Sequence, residues 1–212
     1  MTKQFKLLAF IFITVISIFC GCKKDTITDA EKLAALKNVA FSFNGMNANL
    51  SLPAAALSGK SFDQLMSEDS ATFANPENYS ISFQVKMLAD NTKENAQDSK
   101  FDGMRIDMIM DTLHSKPFST TANGFELLKN TTQEVIAQGN IKLSTHKPVV
   151  MYIFKQMANG QDLATTLSTY LNYSIGSLSG TLPLPSFQQQ IPTAATPEMK
   201  AFLTGLLNSG VF

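Results

Sequence analysis

Alternation of apolar and polar residues in the middle of the chain constrains its fold more than any other feature. From Ile81 to Met87 every second residue is apolar, and the same alternation recurs from Met104 to Met110. Successive side chains of a strand point to opposite faces, so this period of two predicts strands with one buried face. The polar segment Asp90–Lys100 between them predicts a loop.

Shorter or weaker alternating patterns extend this β-rich region in both directions. Phe41–Leu52 predicts a strand that stops at Pro53, with Asn44-Gly45 inside it as a hairpin turn or a bulge. Between Pro53 and Asn78 the sequence is irregular, with one helical turn expected at Phe62–Met66. Further strands are predicted at Lys116–Thr121, at Phe125–Leu128 after a hairpin signal at Asn123-Gly124, at Gln133–Leu143 with an interruption at Gly139, and at Tyr173–Leu184.

Helix signals flank the strands. Thr28 and Glu31 predict a capping box before a short helix that carries Leu33 and Leu36 on one face. Two more helices are expected in the second half of the chain, and a third closes it. They are Val149–Met157, opened by Pro148 and closed by Asn159-Gly160, then a helix capped by Asp162 with Leu163, Leu167 and Leu171 on one face, and finally Pro197–Asn208, with Met199, Phe202, Leu203, Leu206 and Leu207.

The first residues of the chain have the features of a targeting signal. Lys3 and Lys6 precede the uncharged apolar run Leu7–Phe19, about thirteen residues, which is shorter than the ~20 residues of a membrane-spanning helix. Lys23 and the charged residues after it end the run. We therefore exclude residues 1–21 from the fold and interpret them as a signal peptide, with an uncleaved signal anchor as the alternative.

The end of this signal, Phe19-Cys20-Gly21-Cys22, resembles the lipobox of bacterial lipoproteins. In that motif a small residue precedes a cysteine that is acylated and becomes the first residue of the mature protein. Gly21 fits this position before Cys22, whereas bulky Phe19 precedes Cys20. Stable anchoring requires two or more acyl chains, which a lipoprotein N-terminus supplies. We expect lipidation at Cys22, a tether at 22–28 and a single domain at 29–212.

Composition excludes several functional classes. The chain has 17 basic and 17 acidic side chains, and removal of the signal takes away Lys3 and Lys6, leaving a net charge of −2. This balance does not fit a nucleic-acid binder, which concentrates basic charge on one face. Cys20 and Cys22 are the two cysteines of the chain, so the mature domain offers none for a disulfide, thiol catalysis or cysteine-bound zinc. Lys23 follows Cys22 where an inner-membrane lipoprotein usually carries Asp, which favours the outer membrane.

The order of these elements resembles a known family over roughly Tyr79–Phe187. The segment YSISFQVKMLADNTKENAQDSKFDGMRIDMIMD, with Asn91 in its loop, is followed by SKPFSTTANGFELLKNTTQEVIAQGNIKL. Tyr173-Ser174-Ile175-Gly176 and Gly180–Pro185 complete the pattern. The arrangement is similar to the late-embryogenesis-abundant type 2 family, the water-stress and hypersensitive-response domain, which also occurs in bacterial lipoproteins.

This resemblance implies a fold and no catalytic residue. The family fold is a seven-stranded sandwich of the immunoglobulin or fibronectin kind with a helix at one end. The combined expectation is a mainly β, α+β domain: an immunoglobulin/fibronectin-like antiparallel β-sandwich with helices packed at one end.

The polar residues form no recognisable catalytic or metal-binding set. His114 and His146 lie in polar loops without a partner at metal-ligand spacing, and a solvated loop position is the favoured interpretation. Asp102, Asp107 and Asp111 are either a carboxylate set or, more simply, the polar face of a strand. The loop Asp90–Asp98 lacks the regular oxygen ligands of a calcium loop. No nucleophile elbow, phosphate loop or zinc-protease motif occurs, so we predict no enzyme activity, catalytic residue, metal or cofactor.

Two residue sets are candidates for ligand contact. Met104, Met108 and Met110, with Met87 opposite, either line a pliable apolar pocket or belong to the core. The chain has no tryptophan, so stacking on a sugar would depend on Tyr79, Tyr152, Tyr170 or Tyr173. The sequence therefore predicts a non-catalytic outer-membrane lipoprotein that binds an envelope protein or an apolar ligand, or alternatively a glycan-binding accessory of a surface uptake system.

Overall fold

A computed structural model describes residues 28–94, 96–110, 117–193 and 195–212, which form eight strands, five α-helices and two 3-10 turns. The strands are β1 (Ala40–Ser51), β2 (Ser80–Asp90), β3 (Ser99–Ile109), β4 (Phe118–Leu127), β5 (Thr132–Lys142), β6 (Leu163–Ile175), β7 (Leu178–Pro183) and β8 (Phe187–Ile191). The helices are α1 (Asp29–Asn38), α2 (Phe62–Glu68), α3 (Ser70–Phe73), α4 (Lys147–Asn159) and α5 (Pro197–Asn208), and the 3-10 turns are Ala54–Leu57 and Pro76–Asn78.

The strands form two facing layers. They pair antiparallel in the order β1-β2-β5-β4-β3-β6-β7, and β8 pairs with β6 beside β7. Between β4 and β5 the pairing is a single residue pair, Thr121 with Gln138, so β1-β2-β5 separates from the other strands as its own layer. Phe83 of β2 and Phe118 of β4 pack across the layers with ring centroids 5.1 Å apart. The predicted mainly β, antiparallel sandwich with helices is confirmed, with eight strands instead of seven.

The core lies between these layers and consists of the residues that the alternation identified. On β2 the residues Ile81, Phe83, Val85 and Met87 are each at most 1% exposed, and their neighbours are partly exposed. The methionine row, Met87, Met104, Met108 and Met110, is at most 3% exposed and belongs to this core. Burial of these side chains is the main stabilising contribution of the two central strands.

The predicted terminal helices and α4 are confirmed, together with the capping box of α1 and the glycine end of α4. Thr28 accepts a hydrogen bond from the Glu31 backbone N–H while the Glu31 carboxylate accepts one from the Thr28 N–H, which completes the capping box. Gly160 ends α4 in the left-handed conformation, at φ 65°. Helices α2 to α5 pack together at one end of the sandwich, and α1 lies at the other end against β3 and β6.

The predicted helix at Leu163–Leu171 is wrong, because these residues form the first part of β6. Leucines spaced four apart share one face of a helix, but they also share one face of a strand, since four is a multiple of two. Thr165 and Thr169, between the leucines, are 3% and 1% exposed, so the buried face has the period of a strand. Threonine is β-branched and favours this conformation.

Other strand boundaries also differ from the sequence prediction. Asn123-Gly124 is not a turn but lies within β4, and Gly139 does not interrupt β5. Tyr173–Leu184 is a hairpin that turns at Gly176. Strand β8 and most of the short helices between Pro53 and Asn78 were not predicted. Asn44-Gly45 is a bulge, which is one of the two predicted alternatives.

Residues 1–27, with the predicted signal peptide, Cys22 and all of the predicted tether except Thr28, lie outside the described part of the chain. Among the helices that the structure does describe, none has the length and hydropathy of a membrane span.

Candidate functional site

The two long sides of the sandwich, where one layer meets the other, differ in how they are closed. We call the side between β4 and β5 the closed seam. Here the strands approach so tightly that a Cβ atom added to Gly139 would lie 2.8 Å from the Ser119 carbonyl oxygen and 2.8 Å from Thr120 Cγ2. Contacts of 2.8 Å to backbone are closer than a side chain tolerates, so only glycine fits at this position.

Asn91 holds the end of the closed seam. Its side chain is 2% exposed, and Nδ2 donates to the carbonyl oxygens of Gln97 at 2.7 Å, Leu128 at 3.1 Å and Leu127 at 3.3 Å. The Asn91 backbone also pairs with the turn between β4 and β5, through Asn130 N–H and the Thr131 carbonyl. Asn91 therefore joins the β2–β3 loop to this turn, and its role in the structure is that of a clamp.

The opposite side, which we call the open seam, lies between β1 and the end of β8. Within the described residues β1 pairs with β2 and with no second strand, while β8 pairs with β6. No ladder of hydrogen bonds joins these two edges in the described part of the chain. The inner side chains of β1 are consequently less buried than those of β2: Leu50 is half-buried and Ala48 is exposed.

A half-open pocket of about 320 Å³ lies in the open seam near the helical end, and we call it the seam pocket. Its deepest walls are Ile81, Ile153 and Leu163, each 1% exposed. Half-buried side chains from three other places in the chain complete the apolar lining. The lining residues are Ala48, Asn49, Leu50, Ile81, Ile153, Met157, Leu163, Pro192, Thr193 and Met199.

The seam pocket combines an apolar floor with a polar rim of comparable surface. Its lining contains no charged side chain, and its polar side chains are Asn49, which is exposed, and Thr193, whose hydroxyl donates to the Gln161 carbonyl at 2.8 Å. An apolar group placed there loses contact with water and finds aliphatic and thioether atoms. The pocket thus offers apolar contact surface with hydrogen-bonding groups at its rim.

A second pocket, of about 330 Å³, lies beside it on the outer part of β6 and β8, and we call it the glutamine pocket. Gln188, Gln189 and Gln190 of β8 line one wall, and Tyr152 of α4 contributes the aromatic side chain. Met110, of the predicted methionine row, also borders it. Amide groups beside an aromatic ring offer donors, acceptors and a stacking surface, which are the groups that bind polar ligands.

The structure separates the predicted carboxylate set. Asp102 accepts a hydrogen bond from the Ser174 hydroxyl at 2.6 Å, and Asp107 accepts one from the Ser119 hydroxyl at 2.6 Å. Arg105 pairs with Asp107 at 3.1 Å. Asp111 lies outside the described residues. These contacts are ordinary surface pairing along strands, in agreement with the simpler interpretation of these residues.

The residues considered for calcium binding in the loop Asp90–Asp98 and the histidines also have separate surroundings. Asp90 accepts from the Thr92 backbone N–H and Asp98 from that of Lys129, so each caps a turn. His146 lies at the start of α4 with Nδ1 2.9 Å from the Thr145 hydroxyl, and His114 is outside the described residues. No cluster of three or more His, Cys, Asp or Glu side chains suited to a metal ion occurs within 28–94, 96–110, 117–193 and 195–212.

The four tyrosines differ in their availability for stacking. Tyr79 is fully buried, and its hydroxyl donates to the Phe73 carbonyl at 2.7 Å, while burial raises the pKa of that hydroxyl far above its ordinary value. The Arg105 guanidinium lies 4.7 Å from the centroid of the Tyr170 ring and covers one of its faces. Tyr173 is half-buried near Gly180. Tyr152 lines the glutamine pocket.

The seam pocket was not predicted from the sequence, although several of its lining residues lie in strands and helices that were predicted. The pocket combines positions from β1, β2, α4, β6 and α5, which are far apart in the chain. The sequence feature that could have indicated it is the mixture of apolar and polar residues towards the ends of β1 and α4. Because Leu163 was predicted to lie in a helix, the strand β6, which contributes to the floor of the seam pocket, was not predicted there.

Comparison with known proteins gives weak likenesses. No family model and no curated protein matches the chain. A crystal structure of a protein from Archaeoglobus fulgidus is similar with a TM-score of 0.38 at 10% identity, over 73% of this chain and 100% of the other. The solution structure of a candidate late embryogenesis abundant (LEA) protein is similar with a TM-score of 0.43 at 14% identity, over 89% of this chain and 90% of the other. Beta-glucosidase 3B from Thermotoga neapolitana, in complex with glycerol, is similar with a TM-score of 0.24 at 14% identity, over 73% of this chain and 17% of the other.

Proposed function

We propose that this protein is a non-catalytic outer-membrane lipoprotein, anchored through Cys22, whose domain binds an apolar ligand in the seam pocket. The observation that carries the ligand part is the composition of this pocket. Eight of its ten lining residues are apolar, the other two are Asn49 and Thr193, and no charged group lines it. The resemblance to the late-embryogenesis-abundant type 2 family fits a binding role, because it implies no catalytic residue.

The size and shape of the seam pocket support a small apolar group. Its volume of about 320 Å³ lies at the lower end of the roughly 300–1,000 Å³ typical of small-molecule sites. A ligand with one alkyl end would bury that end against Ile81, Ile153 and Leu163. A polar end would remain at the rim beside Asn49 and Thr193. Each methylene that leaves water contributes about 0.8 kcal/mol, so a short chain is enough for measurable binding.

The membrane anchor rests on the sequence of the signal and has its own test. In cells, the wild-type chain is expected to partition with membranes and to carry the mass of acyl chains on Cys22. The Cys22→Ala chain is expected to lose both properties. A Cys22→Ala protein that still fractionates with membranes at the same mass as wild type would remove the lipoprotein part of the proposal and leave the pocket part intact.

The ligand part is tested by native mass spectrometry of the Cys22→Ser chain, secreted without acyl chains and purified without detergent. We expect an additional mass that disappears on unfolding and is identified as an apolar molecule. Met157→Gln should reduce the occupied fraction at least tenfold, because it places an amide in the pocket wall. The matched control is Met151→Gln, which lies on the same helix, is also half-buried and does not line the pocket.

The result with these two variants decides the proposal. Loss of the bound mass in Met157→Gln and retention in Met151→Gln places the ligand in the seam pocket. A bare chain mass in the wild-type domain, repeated after incubation with decanoate, contradicts an apolar ligand. Equal loss in both variants would mean that the mass is bound elsewhere on the domain.

The glutamine pocket supports glycan binding as a second candidate function. Gln188, Gln189 and Gln190 present amides next to the Tyr152 ring, which can stack on the apolar face of a sugar. Isothermal titration with soluble oligosaccharides, on wild type and Tyr152→Ala, tests this candidate. Heat that is lost in Tyr152→Ala supports it, and the absence of heat with wild type contradicts it.

A further inference from the structure

The free edge of β1 lacks the features that usually prevent strand edges from pairing. β1 is 12 residues long and, among the described residues, hydrogen-bonds to β2 on one side alone. Its sequence, AFSFNGMNANLS, contains neither a charged residue nor proline. The unpaired N–H and C=O groups of an edge strand form a template for another strand, and natural proteins commonly block it with charge, proline or shortness.

The opposite edge of the sandwich shows such protection. There the edge is divided between β7, of six residues, and β8, of five residues, and β7 ends at Pro183. On β1 the one comparable feature is the bulge between Phe43 and Gly45, which interrupts the first half of the strand. The second half, Met46–Ser51, pairs with β2 in regular register. An added strand would therefore align with Met46–Ser51.

The side chains of Met46–Ser51 define what such a strand must carry. Met46, Ala48 and Leu50 face the inside of the sandwich, because they pair with the buried Val85, Phe83 and Ile81 of β2. Met46 and Leu50 are half-buried and Ala48 is exposed, so apolar surface remains uncovered. Asn47, Asn49 and Ser51 are exposed on the outer face. A matching strand needs small or apolar side chains on one face and neutral polar side chains on the other.

We propose that the strand that pairs here is the same segment of a second copy of this protein, in an antiparallel, two-fold arrangement centred on Ala48. In this register Ala48 lies opposite Ala48 of the partner subunit, Met46 lies opposite Leu50 of the partner subunit, and Asn47 lies opposite Asn49 of the partner subunit. Apolar residues then meet apolar residues on the inner face, and asparagines meet on the outer face.

Neutrality makes this self-pairing possible. A two-fold axis at Ala48 brings this segment close to its own copy, so a net charge in Met46–Ser51 would be repelled by the same net charge of the other copy, which destabilises a strand pair. The segment has no charge. The result is a continuous layer of β5-β2-β1 from each copy, in which the exposed apolar surface around Ala48 is covered. Ala48, Asn49 and Leu50 also line the seam pocket, so the partner strand would cover part of its mouth.

Cysteine cross-linking tests the register. In the full chain with Cys20→Ser and Cys22→Ser, an introduced cysteine is the only thiol. Directly opposed residues in an antiparallel pair have Cα atoms about 4.5–5.5 Å apart, within the range that a disulfide spans. Under mild oxidation Ala48→Cys is expected to form a covalent dimer with itself. Asn47→Cys alone and Asn49→Cys alone should each form little disulfide-linked dimer. A mixture of the two variants should form it.

Charge substitution tests the same interface without cysteine. Asn47→Lys with Asn49→Lys places lysines opposite lysines, and sedimentation should show at least a tenfold weaker dimer. The matched variant, Asn47→Lys with Asn49→Glu, places each lysine opposite a glutamate and should retain the dimer. All four substitutions are on exposed positions, and thermal unfolding of both variants confirms that the domain is folded.

The outcomes separate the occupants of this edge. A dimer with cross-linking at Ala48 and the predicted charge pattern supports the second copy. A monomer at concentrations of tens of micromolar overturns it, as does a dimer that cross-links equally at positions 47, 48 and 49. In cells, a cross-link from Ala48→Cys to a different protein would also overturn it and assign the edge to a heterologous strand.

Discussion

The closed and open seams are two solutions to the same problem of joining the layers of a sandwich. At the closed seam β4 and β5 approach to the point where Gly139 leaves room for no side chain, and Asn91 fastens the turn that connects them. At the open seam β1 leaves Ala48 exposed, and the gap beside it forms the seam pocket. The closed seam therefore contributes the tighter packing of the two, and the open seam is the side to which we assign the proposed binding.

The largest expected difference between the seams comes from two phenylalanines. Phe118 of β4 is 4% exposed and packs on Phe83, whereas Phe43 of β1 is half-buried at the free edge. Phe118→Ala should lower the free energy of unfolding by about 3–5 kcal/mol, as expected for a phenylalanine in a packed core. Phe43→Ala should cost less than half of this. Equal losses in urea unfolding would show that the two sides are packed equally well.

The Asn91 clamp should have the next largest effect. Asn91→Ala leaves the carbonyl oxygens of Gln97, Leu127 and Leu128 without their side-chain donor, and a buried group that loses its partner costs roughly 1–3 kcal/mol. Asn47→Ala, an exposed asparagine on the open side, should change stability by less than about 0.5 kcal/mol. Thermal or urea unfolding compares them, and a neutral Asn91→Ala would disprove the clamp.

A methyl group at Gly139 should also destabilise the closed seam. The added Cβ would contact the backbone of Ser119 and Thr120, so β4 must move, at a cost of about 1–3 kcal/mol. Gln133→Ala, at an exposed position on the same strand, serves as the control and should be nearly neutral. If Gly139→Ala were as stable as wild type, the approach of β4 to β5 would be looser than the structure indicates.

The smallest expected effect is electrostatic and concerns the helices at both ends. Hydrogen bonds from the Thr28 backbone and side chain lower the pKa of Glu31 below its ordinary value of 4.5. Hydrogen bonds from the Glu198 backbone N–H and the Thr196 hydroxyl likewise lower the pKa of the Glu198 carboxyl. A carboxyl with a lowered folded pKa stabilises the fold above its unfolded pKa and loses this contribution as pH falls through the folded value.

This sign predicts that the free energy of unfolding decreases slightly as the pH falls below about 4.5. Glu31→Gln and Glu198→Gln should each be less pH-dependent than wild type when urea midpoints are compared between about pH 7 and about pH 3. Glu198 lies in the first turn of α5, next in sequence to Met199 of the seam pocket. A variant with an unchanged pH profile would exclude that carboxylate as a source of the dependence.

Local patterns predicted the elements that depend on local physics. The alternation around Phe83 and Ile106, the capping box of α1 and the glycine end of α4 required only neighbouring residues, and all of them are confirmed. Leu163, Leu167 and Leu171 were assigned to a helix because a spacing of four fits both periodicities. The turn signal Asn123-Gly124 was overridden by pairing with β3.

The candidate site was less predictable because it depends on long-range contacts. Asn91 was singled out by its position in a loop, but its role follows from carbonyl groups 6, 36 and 37 residues away along the chain. The seam pocket exists because β1 and β8 do not pair with each other within the described residues. No local sequence pattern predicts that two distant strands remain unpaired.

Methionine methyl NMR during titration with decanoate tests the open seam most directly. Met157 and Met199 line the seam pocket, whereas Met104 and Met108, at 1% and 0% exposure, lie in the core behind the closed side. If the open seam binds apolar molecules, the Met157 and Met199 methyl signals shift in a saturable manner while those of Met104 and Met108 remain in place. Shifts confined to Met104 and Met108, or none at all up to the solubility limit of decanoate, would contradict it.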